Sequence, residues 1–272
     1  MTTTVDDATY VGGPADGYPI VFVHGAGISW RMWLSQLRAL SDEYRLFAPD
    51  LPGHGRRANG SFSFDVAVRV LDDILGDETD KPALVVGQSL GGYVAVEYAA
   101  RRPARVAGLV LSGASADYRG VLGVTTWIAG LFNRIRAAIG PLNHRFREGV
   151  KADLEDGPLP PDIVAAVVDG GISLAGYGQG AMALAGLDFL TKLRSFEGPV
   201  LLLNGAEDRL NPDAAETLEP KLPAAETTVV PDAGHTCSIE RPDKYTAIIR
   251  EFATERVWAG DDDVTDESGS EA

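Results

Sequence analysis

The 272-residue chain has one cysteine, Cys237, so no intrachain disulfide can brace its fold. It stands two residues after His235, where a small, partly buried side chain is a more ordinary role than a nucleophile. Lysine is scarce as well, confined to Lys81, Lys151, Lys192, Lys221 and Lys244. Asp and Glu outnumber Lys and Arg by 39 to 24, and the formal charge is −15. Such a balance disfavours nucleic acid and anionic lipid, both of which reward a basic face, so neither nucleic acid nor membrane is expected as a partner. No apolar run reaches the ~18 residues of a membrane-spanning helix. The segment Met1 to Asp7 has neither the basic nor the apolar part of a secretory signal. A soluble, cytoplasmic protein with a small-molecule substrate is the expectation. The four histidines are scattered without ligand spacing, so no metal and no cofactor are expected. The acidic, lysine-poor composition, with more aspartate than glutamate, fits a halophilic protein. In molar salt screening shrinks to a few ångströms and acidic self-repulsion is tolerated.

What is present is a rhythm of short apolar runs alternating with helix-period segments. That is the pattern of a mostly parallel α/β sheet covered on both faces. Strands are expected at Ile20 to Val23, Arg45 to Ala48, Ala83 to Val86, Val106 to Leu111, Val200 to Leu203 and Thr227 to Val230, with a weak one near Thr9 to Val11. Helices are expected over Trp30 to Leu40, Asp65 to Leu75, Leu90 to Arg101 and Pro242 to about Val257. Between about Ser115 and Gly186 no strand run is evident, and apolar residues recur at helical spacing, as in Trp127, Ile128, Leu131, Phe132 and Ile135. The expected division is a core of residues 1–114 and 187–260, a helical cap at 115–186, and an acidic, disordered tail at 261–272.

Three places carry chemistry. Gly87-Gln88-Ser89-Leu90-Gly91 is a Gly-x-Ser-x-Gly sequence with a strand before it and a helix after it. A serine so placed sits on a tight turn, with its hydroxyl at a helix amino terminus whose dipole favours developing negative charge. Serine needs a base, itself oriented by a carboxylate. Beyond Ser89 only His144 and His235 are available, and His235 follows the last strand, whereas His144 lies among Asn143, Arg145 and Arg147. For the carboxylate, Asp208 follows the strand ending at Leu203, at the edge where parallel sheets bind ligands. Glu207 and Asp117 are the alternatives.

In order along the chain, His24-Gly25-Ala26-Gly27, Asp50-Leu51-Pro52-Gly53-His54-Gly55, the Ser89 elbow, the Gly-x-x-Asp-x-x-x-Pro of 205–212 and Ala233-Gly234-His235 resemble the α/β-hydrolase superfamily. The resemblance covers about residues 18–114 and 187–257 and leaves the cap unmatched. It implies the α/β-hydrolase fold and the triad Ser89, Asp208 and His235, in the order nucleophile, acid, histidine. It also implies an oxyanion hole at the backbone N–H groups of Ala26 and Leu90, and structural rather than catalytic roles for His24 and His54. Gln88 fills a slot often taken by histidine in relatives.

The implied activity is an esterase-like serine hydrolase that cleaves a small-to-medium, apolar carboxylic ester through an acyl-enzyme. The same triad also serves carbon–carbon, lactone and perhydrolase chemistry, and some relatives only bind a ligand. Expected substrate contacts are Trp30, Gln88, Trp127 and Leu131, although the cap residues equally suit packing against the core.

Overall fold

A computed structural model describes residues 7–210, 218, 222 and 225–259. The acidic tail expected at 261–272 lies outside the described residues. The sheet has seven strands in the order β1-β3-β2-β4-β5-β6-β7. They are β1 (Thr9–Gly12), β2 (Pro19–Val23), β3 (Arg45–Pro49), β4 (Ala83–Gln88), β5 (Val106–Ser112), β6 (Val200–Gly205) and β7 (Ala225–Val230). Only β1 runs antiparallel, against β3; every other neighbouring pair is parallel.

Alternation within the strands builds two apolar layers, because successive side chains leave opposite faces. Ile20 and Phe22 of β2, with Leu84 and Val86 of β4, join the layer under α1 (Leu34–Leu40). Val21, Val23 and Val85 point the other way, towards α2 (Phe64–Glu78) and α3 (Leu90–Arg101). The central strands are buried on both faces, which is why they read as unbroken apolar runs. The expected mostly parallel α/β sheet is the observed one.

Element ends differ where local hydrogen bonds outweigh periodicity. The helix expected from Trp30 begins as a 3-10 turn over Trp30–Trp33 before α1. There the Trp30 N–H donates to the Asp50 carboxylate at 2.9 Å. Helix α2 starts at Phe64, fixed by Ser63, whose hydroxyl accepts the Val66 N–H.

Five helices intervene between β5 and β6: α4 (Gly120–Ala137), α5 (Gly140–Glu155), α6 (Pro161–Gly170), α7 (Leu174–Leu184) and α8 (Phe189–Arg194). No strand interrupts them among the described residues. Helix α8 returns to the sheet layer, where Lys192 pairs with the buried Glu97 of α3. After β7 come α9 (Cys237–Glu240) and α10 (Pro242–Phe252). The expected continuation to Val257 is a wider π-type turn over Ala253–Val257.

Candidate active site

Ser89 sits between β4 and α3 with φ 53° and ψ −118°, in the left-handed half of backbone space that L-residues avoid. Its N–H donates to the Ser112 carbonyl at 2.7 Å, tying the turn to β5. The flanking glycines are required sterically. A Cβ at Gly87 would run into the Gly91 carbonyl, and one at Gly91 into the Val23 carbonyl. The serine is half-buried. Its hydroxyl makes no hydrogen bond among the described residues.

His235 lies on the loop after β7, and Asp208 on the loop after β6. His235 Nδ1 and Asp208 Oδ2 are 3.0 Å apart, with the carboxylate side chain 1% exposed and the imidazole 22%. A carboxylate only accepts, so Nδ1 carries the proton and Nε2 is left as the basic nitrogen. Asp208 Oδ1 accepts the Leu210 N–H at 2.8 Å, which fixes the carboxylate within its turn.

The histidine loop is held against the elbow by Gln88. Its amide N–H donates to the His235 carbonyl at 2.6 Å, and its Oε1 accepts from the Ser112 hydroxyl at 3.0 Å. A second clamp is Glu240, which accepts the Gly234 N–H at 2.7 Å, the Thr236 N–H at 3.1 Å and the Thr236 hydroxyl at 2.8 Å. Neither Ser112 nor Glu240 stood out in the sequence. The only signal was a threonine before a short helix carrying a glutamate in its first turn, a pattern akin to a capping box. The Cys237 thiol lies 3.3 Å from the Ser112 hydroxyl, and burial pushes it up to about 11. It is therefore protonated near neutrality, unlike a nucleophilic cysteine.

The other histidines are placed differently. His24 Nδ1 lies 2.7 Å from the Gly25 carbonyl, while Nε2 accepts the Leu51 N–H at 2.8 Å, so the ring bridges two loops. Desolvation brings it down to about 4 and brings His54 down to about 3, so both are neutral at pH 7. His144 is exposed on α5. The rival carboxylates are also accounted for: Glu207 is exposed, and Asp117 pairs with Arg119 at 2.6 Å.

Ala26 lies on the turn after β2, and Leu90 is the first residue of α3, where an N–H has no acceptor within its own helix. Helix α7 closes on both: a Cβ at Gly180 would lie 2.7 Å from Leu90 Cδ2 and 3.2 Å from Ala26 Cβ. Of the residues expected to touch substrate, Gln88 is buried and engaged as a brace. Trp30 is buried against Tyr10 and lines a surface cavity with Asp7 and Arg31. Trp127 and Leu131 are 43% and 37% exposed on α4. Among the described residues no group of three or more His, Cys, Asp or Glu is arranged to hold a metal ion.

Comparison with known proteins gives a consistent result. The chain is 27% identical over 264 residues to the pimeloyl-[acyl-carrier protein] methyl ester esterase of Nitrosospira multiformis, covering 90% of this chain and 97% of that one. It is 30% identical over 245 residues to the protein of that name from Aromatoleum aromaticum, covering 85% and 96%. A thermophilic esterase from Thermogutta terrifontis, solved with malate bound, matches with a TM-score of 0.71 at 25% identity over 92% of this chain and 95% of that one. The sequence profile of the alpha/beta hydrolase family matches residues 20–248. With the fold, the elbow and this match in agreement, the chain belongs to the alpha/beta hydrolase family.

Proposed function

We propose that the protein is a serine esterase in which Ser89 attacks an ester carbonyl, His235 takes the serine proton, and Asp208 holds the imidazole in its basic tautomer. The observation that carries this reading is the 3.0 Å contact of the buried Asp208 carboxylate with His235 Nδ1, on loops that Gln88 ties to the elbow. The step requires His235 Nε2 to accept the Ser89 hydroxyl proton as the carbonyl is attacked. The same proton then passes to the departing alkoxide. An acyl-enzyme remains, and water activated by His235 releases the acid. The N–H groups of Ala26 and Leu90 are the proposed donors to the oxyanion, a role in which losing one donor costs ~2.7–4 kcal/mol.

The proposed domain division is a hydrolase core with helices α4–α7 as a lid. Gly180 of α7 against Ala26 and Leu90 supports it, because a lid so close to the oxyanion donors excludes water and limits the acyl group. The names of the relatives point to acyl methyl esters as the first physiological substrates to try. The buried state of Trp30 and the bracing role of Gln88 favour positioning over substrate contact for both.

The test is hydrolysis of p-nitrophenyl butyrate and of acyl methyl esters by the wild type and by Ser89→Ala. Turnover that vanishes in the variant supports the reading. Turnover that persists in Ser89→Ala overturns it.

A further inference from the structure

Helix α4 has 18 residues, yet only Gly123 and Gly130 are buried. Both glycines lie on the side held against neighbouring chain, and Gly130 fits so closely on α7 that a Cβ there would lie 2.7 Å from the Gly178 carbonyl. The opposite face carries the largest concentration of exposed apolar side chains on the molecule. Among the described residues twelve large hydrophobic side chains are exposed, and nine of them fall between positions 121 and 139. Val121, Val124, Ile128, Phe132 and Ile135 follow each other at helical spacing, and Val121, Val124 and Phe132 are 80%, 60% and 59% exposed.

The charge of this segment is equally unusual. The chain has 39 acidic residues, but none lies between 120 and 147, where four arginines stand: Arg134, Arg136, Arg145 and Arg147. Three of these are exposed, and the Arg136 guanidinium lies 5.7 Å from the centre of the Phe132 ring. The acidic balance that argues against lipid for the chain as a whole is thus reversed along this stretch of the chain.

We propose that α4 and the start of α5 form a peripheral docking face for an anionic lipid surface. The apolar stripe lies among the upper acyl chains, and the arginines meet the phosphates. The helix lies in the plane of the interface, since no helix among the described residues is long and apolar enough to cross a membrane. Two features favour lipid over a protein partner. A second copy would bring four more arginines to the interface and, from residues 120–147, no carboxylate to pair with them. A small acidic protein would satisfy the arginines but leave most of the apolar stripe in water. The acidic remainder of the molecule is repelled by the same surface, so docking has one orientation. The proposal is independent of the ester chemistry.

The test is flotation of the full-length protein with vesicles of phosphatidylcholine alone and of phosphatidylcholine with phosphatidylglycerol. Two variants are compared, Ile128→Asp/Phe132→Asp on the stripe and Arg145→Glu/Arg147→Glu beside it, with circular dichroism confirming that each is folded. Expected is binding to the phosphatidylglycerol vesicles only, weakened at least about tenfold by either variant and by high salt. Absence of wild-type flotation overturns the proposal, as does equal binding to both vesicle types or flotation unchanged in both variants. So does a solution dimer that Ile128→Asp/Phe132→Asp converts to monomer without any wild-type lipid binding, which would assign the face to a second copy. Hydrolysis of a soluble ester is read separately, so failure of the esterase reading leaves this result interpretable.

Discussion

Replacing Ser89 by glycine is expected to make the protein more stable than replacing it by alanine, with both variants expected to lack ester turnover. Ser89 holds φ 53° and ψ −118°, a conformation that glycine adopts without penalty and that a Cβ makes unfavourable. The strain costs on the order of 1–3 kcal/mol. Alanine keeps the Cβ and therefore the strain, whereas glycine releases it. Glycine also gains freedom in the unfolded chain, which takes back about 0.4–1 kcal/mol. The net expectation is that Ser89→Gly exceeds Ser89→Ala by about 1 kcal/mol, or roughly 2–4 °C in Tm for a domain of this size. Calorimetry or urea unfolding of the two variants side by side reads the difference without interference from turnover. Equal stability, or a less stable glycine variant, would refute the claim that the sheet and α3 hold the turn in a strained state.

Four further outcomes follow from the same geometry. Asp208→Asn lets the imidazole adopt the other tautomer, and kcat for p-nitrophenyl butyrate is expected to fall by about 10⁴ with KM little changed; a loss of less than tenfold would argue that another group orients His235. Gln88→Leu removes the link between the Ser112 hydroxyl and the His235 carbonyl. It should lower stability by about 1–3 kcal/mol and reduce kcat, measurable by urea unfolding and steady-state kinetics. Acid is expected to destabilise the fold. His24 and His54 titrate near 4 and 3 when folded against an ordinary 6.5, so below pH 6.5 the unfolded chain takes up protons that the native rings refuse. Asp50, pushed up to about 6 by burial, acts in the opposite sense between pH 6 and 3.8 and offsets part of the loss. The sum is on the order of 3–4 kcal/mol lost between pH 7 and pH 4, seen as a falling urea midpoint; a flat or rising one would contradict it. The composition also predicts ester hydrolysis sustained in molar KCl, and a steep loss of rate there would remove the case for adaptation to salt.

The sheet was legible because its inner strands are buried on both faces and so stand out as short apolar runs. The elbow was legible because sterics leave glycine alone at positions 87 and 91. What stayed hidden depended on contacts between residues far apart in the chain. Gln88 reaches the His235 carbonyl across 147 positions, and nothing local to Gln88 reports it. Glu240 is one carboxylate among 39 until the loop it clamps is folded. The 3-10 turn at Trp30 follows from a hydrogen bond to Asp50, which periodicity does not encode. In the same way, the apolar residues of α4 suggested packing or an acyl pocket by their spacing. Which way that face turns was decided by glycines at 123 and 130 on the other side.

The central claim is that His235, held by Asp208, makes the Ser89 hydroxyl nucleophilic. Intact-protein mass spectrometry after reaction with a fluorophosphonate measures this most directly. The account predicts one adduct, located by peptide mapping on Ser89, absent in Ser89→Ala and formed at least about a hundredfold more slowly in His235→Ala. An adduct that survives Ser89→Ala, or a labelling rate indifferent to the loss of His235, would contradict it.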